Sequence, residues 1–222
     1  MPVRFPHPDE ANEDGIVAIG GHLDAETLEE AYLHGIFPWP IEENYPMTWF
    51  SPDPRGLVEV NDIHYPKSFQ KFLKNHPYEV RFNEDFSLIV ENCAKVKRKG
   101  QKSTWIFEGI KKGYKSLFDK KKAYCVGVYE DEVLVAGIYG VCIGEIISGE
   151  SMFHKRDNTS KLALYSVLEC LRQAKIPFLD TQMVTEVVAS FGGKEISRNE
   201  YLKKLERLDK SRSRDDIFSM KD

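Results

Sequence analysis

The sequence predicts an α+β protein, a small N-terminal domain followed by a larger one in which a β-sheet is flanked by helices. Three observations carry that expectation. Most of the eleven prolines fall before Asn61, mixed with aromatic residues. Beyond Asn61, strand-like segments alternate with segments of helical period. The 222 residues suffice for one large or two unequal domains with a real core. An irregular front followed by such alternation suits a layered domain carrying a smaller one. The expected boundaries are 1–62 for the small domain and 63–208 for the large one, with 209–222 a frayed tail.

Within the front, Asp24 can N-cap a short helix with Leu28, Ala31 and Tyr32 on one face, and Gly35 can end it. The following stretch from Ile36 to Gly56 is too rich in proline for regular structure and too apolar for a solvated linker. It is expected to be an ordered loop packed as a site wall. Ser68 to Asn75 reads as a helix and Tyr78 to Phe82 as a strand. Asp85 can cap a helix burying Phe86, Ile89, Val90 and Cys93, spaced i, i+3, i+4, i+7. A helix over Glu108 to Phe118 buries Ile110, Tyr114 and Leu117. Ala123 to Tyr129 and Val133 to Cys142 are strands joined by a polar turn, with a third over Glu145 to Ser148. Asn158 to Lys175 is a long helix, and Phe178 to Thr181 is a short strand before another helix.

Composition is that of an ordinary soluble chain, 41% hydrophobic and 30% charged, which excludes wholesale disorder. No apolar run approaches the roughly 18 residues of a membrane span. The start MPVRFPHPDE lacks the apolar stretch of a signal peptide. The four cysteines are scattered and suit free thiols in a reducing cytosol, so a cytoplasmic location is expected. Net charge is -4, but acid is gathered at the front and base in the middle, where Lys95 opens KVKRKGQK and Lys120 opens KKK.

Common signatures are missing. The sequence has no phosphate-binding loop, no dinucleotide fingerprint and no histidine pair at metal-ligand spacing. Neither metal nor cofactor is expected. Gly149-Glu-Ser-Met-Phe lacks the second glycine of a nucleophile elbow, which sets Ser151 aside as a nucleophile.

Three segments decide the reading. Gly35-Ile-Phe-Pro-Trp39 precedes Thr48-Trp-Phe-Ser-Pro-Asp-Pro-Arg55. Ser103-Thr-Trp-Ile106 follows. Gly149-Glu-Ser-Met-Phe153 then leads to Ser160-Lys161, Asp180-Thr-Gln182 and Ala189-Ser-Phe-Gly-Gly193. In this order, from about Phe5 to Leu205, they closely resemble the leucyl/phenylalanyl-tRNA–protein transferases. The resemblance implies a GNAT-like C-terminal domain with a mixed β-sheet flanked by helices. It also implies a reaction in which Leu or Phe passes from Leu-tRNA or Phe-tRNA to a protein's N-terminus, marking that protein for degradation.

The residue types suit that chemistry. The electrophile is an activated ester, and the nucleophile is an α-amine with a pKa of about 7.7–8.0. A site must hold the amine near the carbonyl, accept its proton and stabilise the oxyanion. Asp180 and Gln182, two apart on a strand, are expected on one face, with Asp180 fixing the Gln182 amide that receives the amine. These are the expected catalytic residues; the plainer reading is a polar pair at a strand end. Glu150 and Trp49 are assigned to the acceptor site. Ile138, Ile147, Gly149, Met152, Leu164, Leu171 and Leu179 are assigned to the donor side-chain pocket, with core packing the alternative for each. Trp105 either stacks on the terminal adenine of tRNA or packs the domain seam. Lys95, Lys97, Arg98 and Lys99 are the phosphate-contact candidates, against the reading of a solvated charge run.

The chain departs from the family pattern at Tyr124, Cys125 and Gly127, where His, Ser and Glu are usual, and at Val187, where His is usual. Leu33 and His34 stand where an arginine is common. Loss of acid at Gly127 leaves the acceptor open between Lys or Arg and Asp or Glu. Two other readings compete. An acetyl-CoA-dependent acetyltransferase lacks support, because no Q/R-x-x-G-x-G/A loop occurs. An inactive tRNA-binding module would be indifferent to loss of Gln182.

Overall fold

The computed structural model describes residues 3–42, 44–96 and 104–218. The front of the chain folds as strand β1 (Ile16–Ile19), helix α1 (Ala25–Leu33), and strands β2 (Phe37–Pro38) and β3 (Thr48–Phe50). Asp24 caps α1 by accepting the Thr27 N–H at 2.8 Å. Gly35 follows the helix at φ 74°. The three strands form one antiparallel sheet in the order β1-β3-β2. The stretch expected as a loop therefore contains β2 and β3 and runs into a further strand, β4 (Arg55–Glu59).

Next come α2 (Lys67–Leu73), β5 (Glu79–Phe82), α3 (Phe86–Ala94) and α4 (Glu108–Asp119). The buried residues of α3 are Phe86, Ile89, Val90 and Cys93, the expected set. Asp85 stands at the N-cap position of α3 without capping it; its carboxylate instead accepts the Tyr129 hydroxyl at 2.8 Å. On α4 the buried Ile110, Tyr114 and Leu117 face the interior.

β6 (Ala123–Glu130) and β7 (Val133–Ile143) pair antiparallel along nearly their whole length. β5 adds to β6, and β8 (Ile146–Ile147) and β9 (Ser151–His154) both pair with β7. The amphipathic α5 (Thr159–Gln173) covers one face of this sheet. β10 (Phe178–Gln182), α6 (Glu186–Ser190), β11 (Lys194–Ile196) and α7 (Arg198–Glu206) follow. β4 pairs antiparallel with both β10 and β11, so the SPDPR segment opens the middle strand of a third sheet. A parallel bridge from Ser148 to Asp180 joins the two larger sheets. The fold is thus mixed α/β, with the small sheet at the N-terminal end.

The tail did not fray through its described length. It carries α8 (Arg214–Ile217), with Ile217 and Phe218 buried and the Phe218 ring stacked on Tyr124 at 4.2 Å.

One close approach fixes the geometry that matters most. A Cβ at Gly140 would lie 1.8 Å from the Ser148 carbonyl oxygen. Glycine there lets the connection from β8 to β9 press onto β7. The Ser148 and Glu150 N–H groups donate to Val141 and Tyr139 carbonyls, while Gly149 N–H turns the other way, to Asp180 O at 2.8 Å. Glu150 is held where two sheets part.

Candidate active site

A cleft of about 640 Å³ opens beside that junction, within the size range of small-molecule sites. Ile138 of β7, Met152 of β9, Leu164 of α5 and Leu179 of β10 line it with Gly149 and Glu150. Thr181, Met183, Glu186 and Val187 stand on its other side. Five of the seven expected pocket residues are therefore gathered in one apolar hollow. Ile147 and Leu171 are not among its lining. Both are fully buried in the core between α5 and the sheet, where their side chains pack the wall from behind.

Asp180 is enclosed behind the cleft. Its Oδ1 accepts Arg55 Nε–H at 2.9 Å, and its Oδ2 accepts Arg55 Nη2–H at 2.6 Å and the Tyr201 hydroxyl at 2.8 Å. Arg55 also donates to Gly35 O at 3.0 Å and lies between the rings of Phe37 and Tyr201. Burial works against the Arg55 charge, but the Asp180 carboxylate outweighs it and holds the guanidinium protonated more firmly than usual.

The expected face-sharing of Asp180 and Gln182 needs correction. The pairing with β4 slips between them, and Gln182 takes a left-handed backbone at φ 57°. This bulge re-aims the side chain at the strand end. Asp180 bonds the backbone N–H of Gln182, at 3.0 Å, rather than its side-chain amide. The amide Nε2 donates instead to Glu150 Oε1 at 3.1 Å. A carboxylate can only accept, so this contact sets the amide orientation and leaves the Gln182 carbonyl oxygen free to accept. The side-chain amide has no other hydrogen bond among the described residues.

Three donors converge on Glu150, and a fourth hydroxyl stands behind one of them. Ser148 Oγ gives a 2.6 Å bond to Oε1, beside Gln182, and the Tyr114 hydroxyl gives a 2.9 Å bond to Oε2. Tyr114 in turn meets the Tyr32 hydroxyl at 2.6 Å. Burial pushes the Glu150 carboxyl above its ordinary value. Hydrogen bonds from Ser148, Tyr32 and Tyr114 oppose the rise, and the Asp180 charge adds to it.

The aromatic candidates lie elsewhere. Trp49 is buried in the small N-terminal part, its indole N–H bonded to Gly20 O at 2.8 Å and its ring against Phe5. Trp49 is not among the residues that line the cleft. Trp105 is buried and stacked on Trp39, centroids 5.5 Å apart and planes 13° apart, so that face is already taken. It packs the seam. Lys95 is exposed and pairs with Glu91 at 3.2 Å; Lys97, Arg98 and Lys99 lie outside the described residues. Gly127 sits in β6 against the Tyr129 ring, away from the cleft, whereas Val187 lines it. Among the described residues, no group of three or more His, Cys, Asp or Glu is arranged to hold a metal ion.

Sequence reasoning gave no role to Arg55, Tyr201, Ser148, Tyr32 or Tyr114. Arg55 was visible only as the end of SPDPR. Tyr32 and Tyr114 were visible only as members of apolar helix faces.

Comparison with known proteins identifies the family. Residues 57–206 match the sequence model of the leucyl/phenylalanyl-tRNA protein transferase family, and residues 21–53 match that of its N-terminal domain. The leucyl/phenylalanyl-tRNA–protein transferase of Flavobacterium johnsoniae is 39% identical over 198 residues, covering 89% of this chain and 93% of its own. That of Sulfurimonas denitrificans is 40% identical over 206 residues, covering 93% and 89%. A GCN5-related N-acetyltransferase from Kribbella flavida aligns over 74% of this chain and 57% of its own, at 11% identity and a TM-score of 0.38, too distant to carry an argument. The matched residues include the apolar cleft, Glu150, Asp180 and Gln182, and on the strength of both matches the chain belongs to the leucyl/phenylalanyl-tRNA protein transferase family.

Proposed function

We propose that this chain moves leucine or phenylalanine from aminoacyl-tRNA onto the α-amine of a protein whose first residue is Lys or Arg. The observation that carries the reading is one cleft with an aliphatic wall and an amide–carboxylate pair at its edge. Ile138, Met152, Leu164 and Leu179 would seat the donor side chain. Burying a Leu-sized group is worth roughly 1.5–3 kcal/mol, most of which a small polar amino acid would forgo.

The reaction is aminolysis of an ester. The neutral amine nitrogen bonds to the carbonyl carbon, the bond from that carbon to the terminal ribose oxygen breaks, the nitrogen gives up one proton and the ribose oxygen gains one. Atoms balance without a metal or a redox partner. The Gln182 carbonyl oxygen accepts a hydrogen bond from the amine and aims its lone pair at the ester. Glu150, with its raised carboxyl, is the titratable group next to that point and can carry the proton. Asp180 does not touch substrate in this reading. It positions Gln182 through the backbone and is itself held by Arg55.

Charge favours a basic acceptor. Glu150 and Glu186 both line the cleft, and among the described residues no cationic one does. Glu186 is exposed on the rim, where it can meet the first side chain of the acceptor. An acidic first residue would face two carboxylates. The missing acid at Gly127 has no bearing, since that position lies off the cleft. Marking of the acceptor for degradation, and a cytoplasmic setting, go with this reading through the family. The basic stretch opened by Lys95 supplies phosphate contacts, so tRNA affinity should fall steeply with added salt.

The test is transfer of radiolabelled leucine from Leu-tRNA to peptides differing only at their first residue. Lys and Arg peptides should accept it and Asp and Glu peptides should not. Gln182→Ala should cut transfer by about 100-fold or more with tRNA binding retained. Transfer confined to acidic peptides would overturn the acceptor assignment, and unchanged transfer by Gln182→Ala would overturn the site.

A further inference from the structure

Helix α1 belongs to the small N-terminal part, yet one of its side chains reaches the cleft's carboxylate. Tyr114 has a single hydroxyl proton, and its bond to Glu150 Oε2 uses it, because a carboxylate offers none. The 2.6 Å contact between the two phenols must then run from Tyr32 as donor to the Tyr114 oxygen as acceptor. Both rings are fully buried, so no solvent can replace either bond. The chain is directional: Tyr32 to Tyr114 to Glu150, with Glu150 receiving Gln182 on its other oxygen.

We infer that Tyr32 is a positioning residue for aminoacyl transfer, acting through Tyr114 to fix the Glu150 carboxylate that orients Gln182. The inference rests on the functional reading above for its activity arm only. It gives the small N-terminal part a share in the active site, since the last donor of the chain comes from α1. A hydrogen bond into Tyr114 polarises its hydroxyl and strengthens the bond that Tyr114 gives to Glu150.

Other groups around Glu150 do not replace this chain. Ser148 bonds the opposite oxygen. Tyr124 of β6 has a buried hydroxyl with no partner. Tyr139 of β7 meets Tyr114 edge-on through its ring. Asp180 of β10 is a like charge, already neutralised by Arg55 of β4 and bonded by Tyr201 of α7. The phenols of α1 and α4 therefore supply the stabilisation of the charged form on the Oε2 side.

The sign follows. Removing Tyr32's hydroxyl weakens a bond that favours ionised Glu150, whose carboxyl then rises further. Protonated Glu150 cannot take a proton from the amine, so activity falls where Glu150 is protonated and returns at higher pH. Loss of packing alone would lower activity at every pH.

The experiment compares Tyr32→Phe, Tyr114→Phe and the double variant in the full chain. Carboxyl carbon NMR of protein labelled at glutamate, with the Glu150 signal assigned through Glu150→Gln, reads the Glu150 midpoint without any activity. Tyr32→Phe should raise it by about half a unit and Tyr114→Phe by about one, and the double variant should fall short of their sum. In transfer assays, Tyr32→Phe should lower kcat/KM about 3-fold below the wild-type midpoint and less than 2-fold at pH 9. An unmoved midpoint in Tyr32→Phe, or strictly additive shifts, would overturn the inference. If the wild-type protein transfers nothing, the functional reading fails and the NMR midpoint still decides whether Tyr32 acts on Glu150.

Discussion

Asp180 and Glu150 are two enclosed carboxylates handled in opposite ways. Asp180 has a cation, Arg55, in fork geometry, and Tyr201 besides. Removing the partner leaves an uncompensated buried charge, which costs about 3–5 kcal/mol. Arg55→Met should therefore lower the unfolding free energy by about that amount in urea titration; a change under about 1 kcal/mol would mean that Asp180 finds other relief. Around Glu150 burial, aided by the Asp180 charge, outweighs the neutral donors, so its folded carboxyl lies above the unfolded value. A carboxyl raised by folding helps stability below the unfolded value and loses that help as pH rises through the folded one. Measured against Glu150→Gln, wild-type stability should therefore fall as pH goes from 4 to 8, about the ordinary glutamate value and upward. A pH-independent difference would contradict this. Such a cost is what an acid–base group retained for function looks like. The D-x-Q spacing put Asp180 and Gln182 on one strand, and both lie on β10. It could not reveal that a bulge hands the Gln182 amide to Glu150, because the slip arises from pairing with β4. The burial of Trp49 was hidden for a similar reason: which way a β3 side chain points depends on partners that local sequence does not name.

Elements built from local contacts were the legible ones. The apolar residues of α3, α4 and α5 recur at helical spacing and are the ones buried, and β6 and β7 are long, apolar and joined by a polar turn. Among the short strands β5, β8 and β10 were legible, but β4 and β9 were not. β4 carries Arg55 and becomes a strand only because β10 and β11, far along the chain, flank it. β9 (Ser151–His154) reads Ser-Met-Phe-His, which does not alternate between apolar and polar. Its start is set by the connection that presses onto Gly140. Gly140→Ala tests that element directly. The new methyl would meet the Ser148 carbonyl at 1.8 Å, so the β8–β9 connection must move. Overpacking of this kind costs about 1–3 kcal/mol, and a displacement of about 1 Å at Glu150 is enough for a 100-fold loss of transfer. Full activity in Gly140→Ala would show that Glu150 is held independently of β7.

At the scale of the molecule, the acid at the front and the base in the middle meet each other. Lys120 pairs with Glu26 and Lys122 with Glu29, tying the end of α4 to α1, while Lys121 pairs with Asp215 of α8 at 2.6 Å. The lysine triplet is thus spent on internal seams. Exposed pairs of this sort are worth at most about 1 kcal/mol each, so they register the parts rather than hold them. The tail is held by burial. Ile217 and Phe218 are inside, Phe218 is stacked on Tyr124, and Arg214 donates to Ala123 O at 3.1 Å while lying over Phe118. Tyr124 stands where the family usually has histidine, and its ring is the surface on which the tail docks. Phe218→Ala should cost about 3–5 kcal/mol in urea titration, the usual penalty for emptying an aromatic site. Removing 213–222 deletes both apolar side chains, whose burial is worth roughly 1.5–3 kcal/mol each, and exposes the Tyr124 face beneath them. If the shortened chain unfolds outright, Phe218→Ala still reads the contribution of the dock. An unchanged midpoint in Phe218→Ala would mean that the sheet closes over Tyr124 without the tail.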